Sequence, residues 1–228
     1  MSGTSSPHYK DHRSRLRERF ELAGVKALHD YELLELYLFN SIPRRDVKPI
    51  AKRLIERFGS FSEVITAPIA HLVSVDGVGH KTAVDLKVVQ AAALKLGEEN
   101  LLGRDVLSSW TALMDYCRAT LQYEDREQFR VLFLDKKNRL ISDEVLAQGT
   151  VDRAPVYPRE VIKKVLELES SAMILVHNHP SGDPTPSQSD IDMTRTLITA
   201  TQAINVVIHD HVIVGRNDIV SLKTLGLM

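Results

Sequence analysis

Two histidines one residue apart, His177 and His179, open the segment HNHPSGDPTPSQSD at 177–190, which holds the densest chemistry of the chain. The preceding text, AMILVHNH at 172–179, reads as a β-strand, whose two-residue period turns both imidazoles to one face. A His-x-His pair at a strand terminus can offer two nitrogens to one metal ion. A third ligand from another element would leave a tetrahedral position open for water, which separates a catalytic site from a structural one. Asp190 supplies a suitable oxygen, because Ser187-Gln188-Ser189-Asp190 begins a helix directly after the loop 180–186. Pro180, Pro184 and Pro186 narrow that loop's conformational freedom, so less entropy is lost in holding its two ends in register. A plainer reading stands beside this one. Ser187 as N-cap and Asp190 near the positive end of the helix dipole form a capping arrangement that needs no metal.

The elements that must position these groups fall into two classes. From about Arg13 to Gly97 apolar residues recur at three- and four-residue spacing, in Tyr31–Phe39, Val47–Phe58 and Thr82–Leu96. Pro43, Gly59, Gly77 and Gly79 punctuate the series, and no stretch alternates as a half-buried strand would, so a small all-helical bundle is expected over 1–103. GEENLLGRDVLS at 97–108 loses the periodicity and reads as the linker. Beyond it, helices are expected at Trp110–Leu121, from Pro158 to about Glu169, and at Ser187–Ala203. Strands are expected at 129–135, 138–149, 172–179 and 205–215, with the first apolar enough to be covered on both faces. Strands alternating with helices make 106–228 an α/β domain.

Composition bounds the function. The chain has 228 residues, 29 basic and 30 acidic, for a net charge of −1, which excludes a protein held on nucleic acid or membrane by bulk charge alone. Its single cysteine, Cys117, excludes an internal disulfide and any multi-cysteine zinc cluster, and makes a reducing, cytoplasmic setting the default. Within its predicted amphipathic helix Cys117 reads as a small buried apolar residue rather than a nucleophile. No apolar run approaches the roughly 18 residues of a membrane span, and the basic amino-terminal stretch lacks the apolar segment of a secretory signal. Arg13, Arg15, Arg17 and Arg19 are interrupted by Glu18 and Glu21, as on a solvated first helix.

His177-x-His179, seven residues, then Ser187-x-x-Asp190 resembles the His-x-His-x(7)-Ser-x-x-Asp signature of the JAMM (MPN-type) metalloproteases. HNHPSGDPTPSQSDI, with AQGTVDRAPVYPRE upstream and DHVIVG downstream, is similar to the bacterial RadC family within that group, and the helical first half resembles the RadC amino-terminal region. The resemblance implies a JAMM/MPN-like (cytidine-deaminase-like) α/β domain, with a mixed sheet flanked by helices. It implies one Zn²⁺ per chain held by His177, His179 and Asp190, with Ser187 stabilising the oxyanion and a glutamate as general base. Glu144 fits that place best, being on a strand expected to adjoin the metal-bearing one, and Glu160 in the first turn of a helix is the competitor. A second pair, His209 and His211, has no matching carboxylate and reads as strand-end or supporting structure.

LVSVDGVGHKTAVDL at 72–86 resembles a helix-hairpin-helix, in which Gly77 and Gly79 let the backbone approach a phosphate and Lys81 adds charge. Glycines joining two packed helices are equally ordinary in an αα-hairpin, and Arg44, Arg45, Lys48, Lys52, Arg53 and Arg57 are interleaved with Asp46 and Glu56 as on a solvated helix. Three functions follow as expectations. The first is a zinc-dependent metallopeptidase-type hydrolase acting on an amide bond of a protein or peptide. The second is a DNA-binding, repair-associated module with the metal fold as scaffold, and the third a nucleic-acid-directed hydrolase using both halves.

Overall fold

The computed structural model describes residues 8–149 and 156–228. The first seven residues of the expected helical domain, and 150–155 of the AQGTVDRAPVYPRE stretch, lie outside the described residues. The contact pattern divides the chain into two compact units, one ending at Ala93 and the other beginning at Leu94.

The first unit is helical. It contains α1 (His8–Ala23), a 3-10 turn at Val25–Ala27, α2 (Asp30–Ser41), α3 (Lys48–Phe58), α4 (Phe61–Thr66), α5 (Ile69–Val73) and the start of α6 (His80–Leu101). Leu34, Leu38, Ile50, Leu54, Val64, Leu72 and Leu86 are fully enclosed and form its core. In α3 the spacing Ile50, Ala51, Leu54 supplies the buried stripe, and Gly59, at φ 100°, ends the helix in a conformation that a side chain disfavours. Helix α1 is attached differently: Leu16 is buried, whereas Arg13 donates to the carbonyls of Ile42, Pro43 and Arg45, and Arg19 pairs with Glu32.

The expected linker begins too early. Helix α6 continues through Gly97 to Leu101, where the sequence had suggested irregular chain. The cause is tertiary, since a Cβ at Gly97 would stand 3.3 Å from the Tyr116 ring, so the glycine accommodates an aromatic neighbour inside a continuing helix.

The second unit is built on a five-stranded mixed sheet, in the order β2-β1-β3-β4-β5. Its strands are β1 (Gln128–Leu134), β2 (Leu140–Gln148), β3 (Ala172–Asn178), β4 (Val207–Val214) and the short β5 (Ile219–Ser221), the last not anticipated from the sequence. β1 runs antiparallel to both β2 and β3, and β3 runs parallel to β4. The parallel step needs a crossover, which α9 (Gln188–Gln202) provides. Helix α7 (Trp110–Leu121) packs Leu113, Cys117 and Leu121 on one face of the sheet. On the other face Val161 and Val165 of α8 (Pro158–Glu167) and Leu197 of α9 meet Phe129, Val131, Met173 and Leu175. All seven residues of β3 are buried, as a central strand covered on both sides requires. Among the described residues no helix is long and apolar enough to cross a membrane.

Candidate metal centre

β3 carries His177 to its end and chain pairing extends one residue further, with the His179 N–H donating to the Val214 carbonyl. The two imidazoles converge with their Nε2 atoms 3.0 Å apart. The Asp190 carboxylate reaches them from α9, one oxygen 3.5 Å from His177 Nε2 and the other 3.5 Å from His179 Nε2. The three side chains can each bring one ligand atom within 4.8 Å of the others. Ligand atoms bound about 2.0–2.1 Å from a tetrahedral zinc lie about 3.4 Å from one another, so this donor set has the spacing the ion needs.

Each of these side chains is held by its own surroundings. His179 Nδ1 lies 2.7 Å from the Asp183 carbonyl, which can only accept, so Nδ1 carries a proton, and in the neutral ring the lone pair is on Nε2. His177 is enclosed, 1% exposed, between the Phe129 ring and His211, whose Nε2 is 2.8 Å from His177 Nδ1. Asp190 accepts from the backbone N–H and the hydroxyl of Ser187, at 2.7 and 2.6 Å. The capping box foreseen as the alternative to a ligand role is therefore present, and it is also what aims the carboxylate. The loop between the histidines and α9 passes so close to β4 that a Cβ at Gly215 would stand 2.5 Å from the Gly182 carbonyl oxygen.

The electrostatics suit cation binding. Burial pushes His177 down to about 4, so its imidazole is neutral near neutral pH. The Asp190 carboxylate raises His179 against the opposing effect of burial. Burial works to raise Asp190, but the neighbouring imidazoles and the two Ser187 donors outweigh it and hold the carboxyl well below its ordinary range.

The remaining expected residues are distributed unevenly. The structure does not bring Glu144 to the cluster. It pairs with Val131, which pairs with Leu175, so Glu144 lies two strands from β3 and beside a residue deeper than His177. Two strand spacings are about 9.5 Å. Its carboxylate lies 3.6 Å from Lys164 of α8 and accepts from Ser142. Glu160 faces Arg159 at 3.3 Å, half exposed on α8. The hydroxyl of Ser187 is committed to Asp190 and Ser189. His209 hydrogen-bonds to Asn138 and takes no part in the cluster, and Cys117 is buried, its thiol pushed up by desolvation. In the helical unit Gly77 has φ +90° and packs against Ile50, while Lys81 pairs with Asp85 one turn on at 2.7 Å. The residues 72–88 are α5, a turn and the first part of α6.

One carboxylate escaped the sequence reading. In the β1–β3 register Phe129 faces His177, so two residues back Glu127 comes opposite His179 on the same sheet face. Its charge contributes to the raised pKa of His179. Asn178, buried at the end of β3, fixes this segment: its side-chain amide donates to the carbonyls of Glu124 and Arg126, and its oxygen accepts from the Gln128 N–H.

Comparison with known proteins agrees with this architecture. A family model described as RadC-like JAB domain matches residues 107–227, and a second, described as UPF0758 N-terminal, matches 10–84. The UPF0758 protein SPO0054 of Ruegeria pomeroyi is 55% identical over 223 residues, spanning 97% of this chain and 100% of its own length. The sheet unit and the helical unit each match a family model, and the chain belongs to the RadC family.

Proposed function

We propose that this chain is a zinc-dependent hydrolase of the metallopeptidase type, cleaving an amide bond in a protein or peptide. The observation that carries the reading is the convergence of His177, His179 and Asp190 from two elements, at the spacing of a tetrahedral ligand set. When bound there, zinc supplies Lewis-acid polarisation of the scissile carbonyl and acidifies water near neutral pH. The chain's own residues do the rest.

His177 presents a neutral nitrogen and Asp190 an ionised carboxylate, so neither has a proton to lose when the cation binds, whereas Asp190 favours the protonated form of His179, whose proton a bound cation would displace. Ser187 holds that carboxylate through its N–H and hydroxyl. Glu127, rather than Glu144, is the general base in this reading: it lies one residue before β1, near enough for its charge to act on His179, whereas Glu144 is on β2, two strands from β3. Its carboxylate takes a proton from the attacking water and returns it to the leaving nitrogen, and such positioned proton transfer contributes about 10²–10⁴-fold. Ser187 would serve a developing oxyanion only by turning its hydroxyl away from Asp190.

The test is a comparison of E127Q and E144Q, with zinc content and turnover of a fluorogenic peptide and isopeptide library measured on the same preparations. E127Q should retain zinc and lose about 10²–10⁴-fold in rate, with E144Q close to wild type. Full turnover in E127Q with loss in E144Q would return the base role to Glu144, and a wild type that binds zinc but turns over nothing would remove the hydrolase reading.

A further inference from the structure

His211 lies on β4, has no exposed surface, and is used by none of the chemistry above. Both of its ring nitrogens are engaged by neutral groups. Nδ1 is 2.6 Å from the Thr194 hydroxyl, and Nε2 is 2.8 Å from Nδ1 of His177. Thr194, also fully buried, lies one turn into α9 from Asp190, and its hydroxyl oxygen is 2.6 Å from the Asp190 carbonyl oxygen.

The direction of every proton in this chain can be read off. A carbonyl oxygen only accepts, so at 2.6 Å the single proton of the Thr194 hydroxyl points to the Asp190 carbonyl. The hydroxyl therefore meets His211 with a lone pair, which puts the His211 proton on Nδ1. A neutral imidazole protonated on Nδ1 has a bare Nε2, and that bare atom accepts from Nδ1 of His177. The His177 proton is thus spent on His211. Its Nε2, the atom facing His179 and Asp190, is left with a free lone pair. The opposite order would place a proton on that Nε2, aimed into the cluster, where it would exclude a cation.

We propose that Thr194 and His211 are positioning residues that fix His177 in its Nδ1–H tautomer, so that its Nε2 is delivered ready to bind a divalent cation. The relay starts at the backbone carbonyl of Asp190 itself, so the helix that contributes the carboxylate ligand also sets the proton on the histidine ligand of the neighbouring strand. The ring of Phe129 stands against both His177 and His211, and these three residues and Thr194 are all buried, so the groups of the relay take their partners from one another. The inference rests on the zinc reading for its purpose, but not for its geometry.

The two are separable by experiment. In uniformly ¹⁵N-labelled, metal-free full-length protein at neutral pH, long-range ¹H–¹⁵N spectra of the imidazoles should show His177 and His211 each as a single tautomer, protonated on Nδ1. Zinc affinity is measured on the same protein by competition with a chromophoric chelator. T194V, which removes the acceptor, should scramble the His211 and His177 tautomers and weaken zinc binding about 10–100-fold, and T194S should restore both. A wild-type His177 protonated on Nε2 overturns the relay whether or not the variant folds. T194V with unchanged tautomers and unchanged zinc affinity overturns it as well. Wild-type tautomers as described, with no zinc bound, support the proton order and defeat the zinc reading alone.

Discussion

Asp190 is asked to do two things, to cap α9 and to face two imidazoles, and Ser187 makes both possible by donating twice to one carboxylate oxygen. S187A should therefore cost helix stability, about 0.5–2 kcal/mol by loss of the cap, and weaken metal affinity in the same variant. Thermal unfolding and chelator competition check the two effects separately. The His-x-His spacing and the Ser-x-x-Asp were legible because each is local: strand period and helix start fix them within a few residues. Glu127 was not legible. It belongs to no motif, and only the antiparallel register of β1 on β3, a relation across some fifty positions of chain, brings it opposite His179. Glu144 was attractive from the sequence for the complementary reason: its strand was expected to adjoin the one carrying the histidines, but the strand order puts β1 between them.

The elements show the same division. The buried stripes of α3 and α7 and the continuous apolar run of β3 were plain in the periodicity, whereas α6 overran its expected end because the ring that packs on Gly97 comes from another helix. Gly215 is the sharpest test of how the loop 180–186 is placed. A Cβ there would collide with backbone at Gly182 and with Pro184, atoms that cannot swing aside. G215A should cost about 1–3 kcal/mol and, by displacing Asp183 from His179, reduce zinc affinity, both measurable without any substrate. In the helical unit, burial tends to raise Glu32, but Arg19 and the His29 N–H outweigh it and hold the carboxyl below its usual range. A depressed carboxylate stabilises above its unfolded pKa and loses that contribution as pH falls through the folded value. The stability advantage of wild type over E32Q should accordingly be full at neutral pH, begin to fall as pH drops through the ordinary glutamate range, and be gone only below the lowered folded pKa. Unfolding curves followed by helical circular dichroism across that range decide it.

At the scale of the whole molecule, two units with different architectures share one chain, and each matches a family model of its own, over residues 10–84 and 107–227. The change of hydrophobic period near residue 100 suggested two parts from the sequence, since a helix-spaced pattern cannot serve as strands, whereas the compact units divide earlier, between Ala93 and Leu94 inside α6. The glycines of 72–88 were ambiguous for an equally physical reason: a turn between packed helices and a turn that cradles phosphate need the same backbone freedom, and here Gly77 already has a packing role against Ile50. In the proposed function the sheet unit is built to hold a cation. Elemental analysis of purified full-length protein beside H177A and D190N decides this. About one zinc per chain in wild type, and essentially none in either variant, is the expected result. Equal metal in all three proteins, or none in the wild type after incubation with zinc, would contradict it.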